Sequence, residues 1–303
     1  MRKEIDVSYA DFVRDTIARH EMQEKKYASW QLTGERRAVP RTGKNPVDTI
    51  WYRPETEIEQ KLPVVLNMHG GGFTDCDAVQ TGSFCRTLAD ALDALIISVN
   101  YKKAPEYPYP YAIEEICDVI AYLFENAQSL GIDTERIAVS GESAGASLAT
   151  ATAMKLANET DFALKCQVLV YPCTDLTGDY LPKPLPYDEW LEHCITAYCG
   201  DVHPHHPYIC HMAAPDAMLA KMCPAVFVTC ELDFLGNQAD LYAQRLIDNF
   251  VPVSVKRFKG AVHGFLEVNR PDWGEPDDRI TPEQDRLARE AEAYIIQQLR
   301  IYL

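Results

Sequence analysis

Short, continuous apolar runs rich in β-branched residues recur along most of the chain, and stretches of helical periodicity separate them. Such runs are typical of strands buried on both faces of a parallel sheet. They occur at residues 64–68, 95–99, 137–139, 168–171, 225–229 and 253–258. Helical patterns lie at about 82–92, 112–128, 145–158, 237–249 and 282–300. This alternation predicts an α/β fold whose mostly parallel, doubly wound sheet is flanked by helices.

Three regions depart from this alternation. Residues 8–30 carry apolar positions at helical spacing before the first strand, and residues 37–52 predict a hairpin that begins the sheet with antiparallel pairing. Residues 174–223 join two core strands with about fifty residues, whereas a crossover needs about a dozen. Long excursions often cover a site. We therefore expect residues 1–35 and 174–223 to form a small cap on a single domain of residues 1–303; a surface elaboration without gating is the alternative for the second segment.

Composition and charge narrow the classes of partner. The chain has 303 residues, of which 47% are hydrophobic, so it can bury a substantial core. Its formal net charge of −16 would repel phosphate backbones and anionic membranes, and we expect no nucleic-acid partner. The sequence has no apolar run of signal-peptide or membrane-span length. Its ten cysteines are scattered, several of them in apolar runs, which favours free thiols and a cytoplasmic location.

The most informative stretch runs from Ile137 to Leu148, where a β-branched run meets a small-residue turn and then a helical pattern. The turn has the pattern G-x-S-x-G, with Ser143 between Gly141 and Gly145. Glycines on both sides let the chain reverse tightly and expose the serine hydroxyl at the top of the turn. A glycine-rich turn without chemistry is the alternative.

A second motif, His69-Gly70-Gly71-Gly72, follows the first buried strand, 74 residues before Ser143. A serine nucleophile needs a base to take its proton and donors to stabilise the tetrahedral oxyanion. Three successive glycines allow backbone N–H groups to turn toward a small anion, although a flexible turn is the alternative. Both loops follow strands of one parallel sheet, so we expect them at the same carboxyl edge.

These motifs resemble those of the hormone-sensitive lipase family of the α/β-hydrolase fold, over residues 63–265. The resemblance rests on four segments: His69–Gly72, Asn100–Glu106, Gly141–Gly145 and Tyr171–Pro172. In that family the serine of this motif is the nucleophile and the glycine loop supplies oxyanion donors. The resemblance thus implies Ser143 as the nucleophile. It also implies an oxyanion hole formed by the N–H groups of Gly71, Gly72 and Ala144.

The fold implies that the acid and then the histidine follow the serine along the chain. Asp233 lies just past the predicted strand at 225–229, and its spacing to Leu235 matches the family pattern; Glu231 is the alternative acid. His263 follows the last predicted strand, between two glycines, and no other histidine lies beyond residue 233. We therefore expect Asp233 and His263 to complete a catalytic triad.

The segment around Asn100 departs from the family. The family usually has Asp-Tyr-Arg-Leu-Ala-Pro-Glu, whereas this chain has Asn100, Lys102 and Lys103 at the first, third and fourth positions. An ammonium group does not replace a planar, bidentate guanidinium. How the oxyanion loop is supported therefore stays open at the level of sequence.

Together these features predict a serine carboxylesterase that hydrolyses short- to medium-chain acyl esters through a Ser-His-Asp acyl-enzyme mechanism. The expected partner is a small ester; the oligomeric state, a homodimer included, is left open. We expect no cofactor and no metal, because prolines interrupt the histidine cluster at 203–211 and its spacing matches no familiar zinc pattern. Two alternatives are a non-catalytic small-ligand-binding protein on the same scaffold, which His263 argues against, and a peptide or amide hydrolase, which the chain length argues against.

Overall fold

The computed structural model describes residues 7–56, 58–180 and 189–303. An eight-stranded sheet has the spatial order β1-β2-β4-β3-β5-β6-β7-β8. The strands are β1 (Glu35–Arg41), β2 (Lys44–Tyr52), β3 (Leu62–Met68), β4 (Leu95–Val99), β5 (Ile132–Glu142), β6 (Cys166–Val170), β7 (Ala225–Leu232) and β8 (Val253–Val262). Strand β2 is antiparallel to both of its neighbours, and the remaining pairs are parallel. The predicted doubly wound, mostly parallel sheet with a hairpin start is confirmed.

Helices cover both faces of this sheet. They are α1 (Val7–Ala28), α2 (Gly82–Leu92), α3 (Tyr111–Glu125), α4 (Ala127–Leu130), α5 (Ala144–Glu159), α6 (Glu189–Cys199), α7 (Asp216–Leu219), α8 (Gly236–Asp248), α9 (Phe265–Val268) and α10 (Pro282–Tyr302), with 3₁₀ turns at Ala78–Thr81 and His211–Ala213. Alternate side chains of a strand point to opposite faces. Accordingly, Val64, Leu66 and Met68 of β3 join the core beneath α3, α5 and α8, while Val65 joins the core beneath α2 and α10.

The helix predicted over residues 112–128 is divided in the structure. Helix α3 ends at Glu125, and the separate turn α4 begins at Ala127. Asn126 lies between them, and both its backbone N–H and its side-chain amide donate to the carbonyl of Tyr122, over 3.0 and 2.9 Å. An asparagine side chain that bonds the backbone in this way competes with the continuing helix.

The two predicted cap elements contact each other. Tyr9 and Phe12 of α1 pack their rings against His193 of α6, with centroids 5.4 and 5.2 Å apart. The second element, residues 174–223, contains α6, a 3₁₀ turn and α7; residues 181–188 of it lie outside the described part of the chain. Within the described ranges, no helix combines the length and the apolar character that crossing a membrane would require.

Candidate active site

Ser143 occupies the turn between β5 and α5 in a conformation that is rare for a residue with a side chain. Its φ of +52° and ψ of −115° lie outside the commonly allowed regions, which stores local strain. The backbone N–H of Ser143 donates to the carbonyl of Val170 over 2.9 Å, which ties the turn to the end of β6. The strained turn places the hydroxyl at the carboxyl edge of the sheet.

The two glycines of the turn are required by close packing. A Cβ on Gly145 would lie 2.1 Å from the carbonyl oxygen of Met68, and a Cβ on Gly141 would lie 2.3 Å from the carbonyl carbon of Gly145. Contacts this short are sterically forbidden for a side chain. The missing side chains let α5 pack directly against the end of β3, where the glycine loop begins.

The structure places His263 within hydrogen-bond distance of both Ser143 and Asp233, the other two residues predicted as a triad. The Ser143 Oγ lies 2.9 Å from Nε2 of His263, and Nδ1 of His263 lies 3.0 Å from Oδ2 of Asp233. When Nδ1–H donates to the carboxylate, Nε2 carries the lone pair and can accept from the serine hydroxyl. This arrangement suits proton transfer from Ser143 to His263.

Asp233 and Glu231, the two candidate acids, have different partners. Besides facing His263, Asp233 accepts the backbone N–H of Leu235 at Oδ1 over 2.8 Å. Glu231 is exposed and accepts the backbone N–H of Gly260 over 2.8 Å. Of the two carboxylates, the one that meets His263 is therefore Asp233.

Three consecutive residues of the glycine loop have positive φ angles and line the same cavity as Ser143. The φ angles are +106° at Gly71, +60° at Gly72 and +67° at Phe73. The N–H groups of Thr74 and Asp75 both donate to the carbonyl of Gly71, over 3.1 and 2.9 Å, and close the turn.

The three backbone N–H groups predicted as oxyanion donors make no hydrogen bond to any residue that the structure describes. These are the N–H groups of Gly71, Gly72 and Ala144. The N–H of Ala144 also lies in the first turn of α5, where the helix dipole favours negative charge. These donors can therefore bind an anionic oxygen.

A cavity of about 600 Å³ opens onto Ser143 and His263. Its apolar wall consists of Phe73, Trp190, Leu191, Phe234 and Leu235. Helix α1 forms another wall with Arg19, Met22, Gln23, Lys26 and Tyr27. Both predicted cap elements thus contribute residues to the space above the serine.

Comparison with known proteins identifies the family. A family model described as an α/β-hydrolase fold matches residues 65–267. The chain belongs to this α/β-hydrolase family. Esterase LipI of Mycobacterium tuberculosis is 32% identical over 229 residues, which cover 73% of this chain and 71% of that protein. An arylesterase of Saccharolobus solfataricus is 33% identical over 215 residues, which cover 67% and 68% of the two chains.

A solved structure extends the similarity to nearly the whole chain. A hyperthermophilic esterase from Pyrobaculum calidifontis superposes with a TM-score of 0.76 at 28% identity, covering 97% of this α/β hydrolase and 94% of that chain. The predicted fold class and the predicted membership of the hormone-sensitive lipase family are confirmed.

The loop of this α/β hydrolase is supported without the family's arginine. Lys103 donates from Nζ to the carbonyl of Cys76 over 2.5 Å, and Asn100 donates from its side-chain amide to Asp77 over 3.0 Å and to Asp48 over 3.2 Å. The contacts with Cys76 and Asp77 reach the segment just after the glycine loop, and the contact with Asp48 ties Asn100 to strand β2. A lysine and an asparagine therefore hold this segment, which answers the question that the sequence left open.

His69, at the start of the loop, has a structural place. Its ring stacks on Tyr101 with centroids 4.3 Å apart, and its Nδ1 lies 2.8 Å from the carbonyl oxygen of Gly70. Burial lowers the pKa of His69 to about 3, so the ring is neutral at physiological pH. The neutral ring of His69 therefore stabilises the start of the glycine loop through its contacts with Tyr101 and Gly70.

Helix α1 is attached to the segment that follows the glycine loop. Arg19 forms an ion pair with Asp75 over 2.9 Å, and Gln23 donates to the other oxygen of Asp75 over 2.5 Å. His20 lies between two acceptors, with Nε2 2.6 Å from the carbonyl oxygen of Thr74 and Nδ1 3.0 Å from a carboxylate oxygen of Glu106. These contacts couple the position of α1 to that of the loop.

The histidine cluster of residues 203–211 makes protein contacts. His205 pairs with Asp179 over 2.7 Å, and His206 lies 3.2 Å from the hydroxyl of Tyr109. In the part of the chain that the structure describes, no group of three or more His, Cys, Asp or Glu side chains is arranged to hold a metal ion.

Sequence reasoning missed two sets of residues at this site. Glu267 contacts the glycine loop from the far end of the chain, and Arg19 and Gln23 attach α1 to Asp75. Glu267 lies four residues after His263, but the sequence carries no signal that its carboxylate meets a loop 197 residues earlier. The amphipathic pattern of α1 indicated a covering helix without indicating its polar partners.

Proposed function

We propose that this α/β hydrolase is a serine carboxylesterase that acts on short- to medium-chain acyl esters. The predicted enzyme class, a carboxylic-ester hydrolase, is confirmed by its relatives, which include an ethyl acetate hydrolase of Pseudomonas putida that is 30% identical over 72% of this chain. The observation that carries the mechanism is the continuous hydrogen-bonded line from Ser143 through His263 to Asp233.

Acylation begins at Ser143. As Oγ attacks the ester carbonyl carbon, Nε2 of His263 takes the serine proton, and Asp233 stabilises the resulting imidazolium. The negative charge that develops on the carbonyl oxygen is stabilised by the three N–H groups of Gly71, Gly72 and Ala144. When the tetrahedral intermediate collapses, His263 gives its proton to the departing alcohol, and the acyl group stays on Ser143.

Deacylation repeats these steps with water as the nucleophile. His263 takes a proton from the water as its oxygen attacks the acyl carbonyl, and the same N–H groups stabilise the second tetrahedral intermediate. Its collapse breaks the bond to Ser143 Oγ, which recovers its proton from His263, and a carboxylic acid is released. No cofactor takes part in these steps.

The volume of the cavity supports a small ester as the substrate. At about 600 Å³ it lies within the range of small-molecule sites, and its wall beside Ser143 is apolar.

We assign residues 1–303 to one catalytic domain on which residues 1–35 and 174–223 form the cap. The contact of α1 with α6 through Tyr9 and His193 supports a cap whose two parts act together.

A panel of p-nitrophenyl esters from acetate to laurate tests the proposal. We expect the highest kcat/KM among the acetate to octanoate esters, and a loss of about 10⁴-fold or more in kcat for Ser143→Ala. Equal turnover by Ser143→Ala, or a preference for laurate, would contradict the proposal. Saturable ester binding without turnover by the native chain would favour the alternative, a ligand-binding protein.

Two finer points belong to the same proposal. The scattered cysteines, several of them buried, favour a reducing compartment, and we propose a cytoplasmic location on that ground.

Sedimentation of the purified protein distinguishes a monomer from a homodimer, which is the oligomer to test for.

A further inference from the structure

Glu267 lies where the glycine loop, the histidine loop and the end of β6 meet. It is in the short helix α9, and only 8% of the residue is exposed. Its Oε1 accepts the backbone N–H of Gly70 over 3.1 Å, and its Oε2 accepts the hydroxyl of Tyr171 over 3.2 Å. One carboxylate therefore joins three segments that are far apart along the chain.

The contact with Gly70 depends on the missing side chain at that position. A Cβ on Gly70 would lie 2.4 Å from Oε1 of Glu267. The first glycine of the loop thus serves the close approach of the carboxylate rather than an unusual backbone angle. The N–H of Gly70 donates to Glu267. This hydrogen bond fixes the loop at the residue just before Gly71 and Gly72, whose N–H groups are the predicted oxyanion donors.

The hydrogen bond from Tyr171 to Glu267 connects Glu267 indirectly to His263, the proposed base. The ring of Tyr171 packs edge-on against the imidazole of His263, with centroids 4.9 Å apart. Tyr171 has a φ of +36°, which a tyrosine rarely adopts, so its position requires support from neighbours. Its hydrogen bond to Glu267 supplies part of that support.

The charge of Glu267 is partly offset. A carboxylate beside an oxyanion site would by itself oppose the negative charge that develops there. Arg279, which also pairs with Asp277, lines the same cavity and attracts Glu267 electrostatically. It also donates from Nη1 to the carbonyl of His263 over 3.0 Å. Arg279 therefore offsets part of the negative charge that Glu267 brings to the oxyanion site.

We propose that Glu267 is a positioning residue for the esterase reaction. It fixes the glycine loop so that the N–H groups of Gly71 and Gly72 meet the oxyanion, and it fixes Tyr171 against His263. The inference rests on the proposed function, because it assigns a role within that reaction.

Three substitutions separate position from charge. Glu267→Ala removes both contacts, and we expect kcat to fall about 10- to 100-fold while KM changes less than about threefold, because the loss is confined to the transition state. Glu267→Gln keeps the length and can still accept from Gly70 and donate to the oxygen of Tyr171, so we expect kcat within about threefold of the native value. Glu267→Asp keeps the charge but is one methylene shorter, and we expect a loss like that of Glu267→Ala.

A transition-state analogue gives a second readout. A trifluoromethyl ketone forms a tetrahedral adduct with a serine nucleophile, so its affinity reports the oxyanion site. We expect the alanine and aspartate variants to bind it more weakly by the factor lost in kcat. Glu292→Ala is the matched control, since Glu292 is a buried carboxylate on α10 that pairs with Arg289 over 2.6 Å and does not line the cavity. Its thermal midpoint is expected to fall while kcat is retained.

The inference is overturned if Glu267→Asp is as active as the native protein while Glu267→Gln is as impaired as Glu267→Ala, because charge would then matter rather than reach. It is also overturned if kcat falls while the affinity for the ketone is unchanged. If Glu267→Ala fails to fold, the comparison of the glutamine and aspartate variants still decides. If the native protein did not hydrolyse esters, or if Ser143→Ala hydrolysed them as fast as the native protein, the proposed function itself would be contradicted.

Discussion

The carboxylate of Asp233 faces Nδ1 of His263 over 3.0 Å with its own side chain fully buried, whereas 22% of the His263 side chain is exposed. A buried acid that is shielded from water holds the imidazole in one orientation. The exposed part of the imidazole is the part that must reach substrate and water. This asymmetry between the two partners leads to the first prediction.

Asp233→Asn is expected to lower kcat by roughly 10³- to 10⁴-fold, because the amide allows the tautomer in which Nε2 carries the proton and cannot accept from Ser143. Steady-state kinetics on a short-chain p-nitrophenyl ester measures the loss. Glu231→Gln is the control: it neutralises the neighbouring carboxylate, which contacts Gly260 instead of His263. An equal loss in both variants would show that Asp233 has no special role.

Arg19→Ala is expected to raise KM for short-chain esters by about three- to tenfold with kcat nearly unchanged, because the variant loosens α1, a wall of the cavity, from Asp75. Arg14→Ala provides the control on the same helix, since Arg14 forms exposed pairs with Asp11 and Asp15 outside the cavity. The explanation fails if the two variants change KM equally.

Glu115 predicts a pH-dependent contribution to stability. Its side chain is 2% exposed, and burial raises its pKa to about 7, although the N–H of Lys102 at 2.6 Å and the guanidinium of Arg41 at 3.7 Å oppose the shift. Because the folded-state pKa lies above the unfolded value of about 4.5, the folded protein binds the proton more tightly. The stabilisation is therefore complete below pH 4.5 and is lost as the pH rises to about 7.

Glu115→Gln is expected to remove this contribution. Between pH 5 and pH 8 the free energy of unfolding of the native protein should fall more than that of the variant, by on the order of 1–3 kcal/mol. Urea unfolding at the two pH values measures the difference, and the other carboxyl groups contribute equally to both proteins. Parallel pH dependences would rule out the raised pKa of Glu115.

The strands and the turns of the sheet were predictable because burial on both faces leaves a continuous apolar run, and a tight turn requires glycine. The order of Ser143, Asp233 and His263 along the chain followed from the motif and the resemblance, and the structure places their side chains within hydrogen-bond distance. Their catalytic roles stay a proposal. The division at Asn126 was not predicted, because the competing side-chain hydrogen bond does not alter the apolar periodicity.

By itself the sequence determined the α/β fold, the family, the place of the nucleophile and the segments that supply its partners, since each depends on a local pattern of residue types. Only the tertiary structure decided that Asp233 rather than Glu231 meets His263, that Glu267 meets Gly70, and that α1 is fastened to Asp75. Each of these is a single polar contact between distant segments. Its existence depends on side-chain direction and reach at the ångström scale, which only the packing of the whole chain defines.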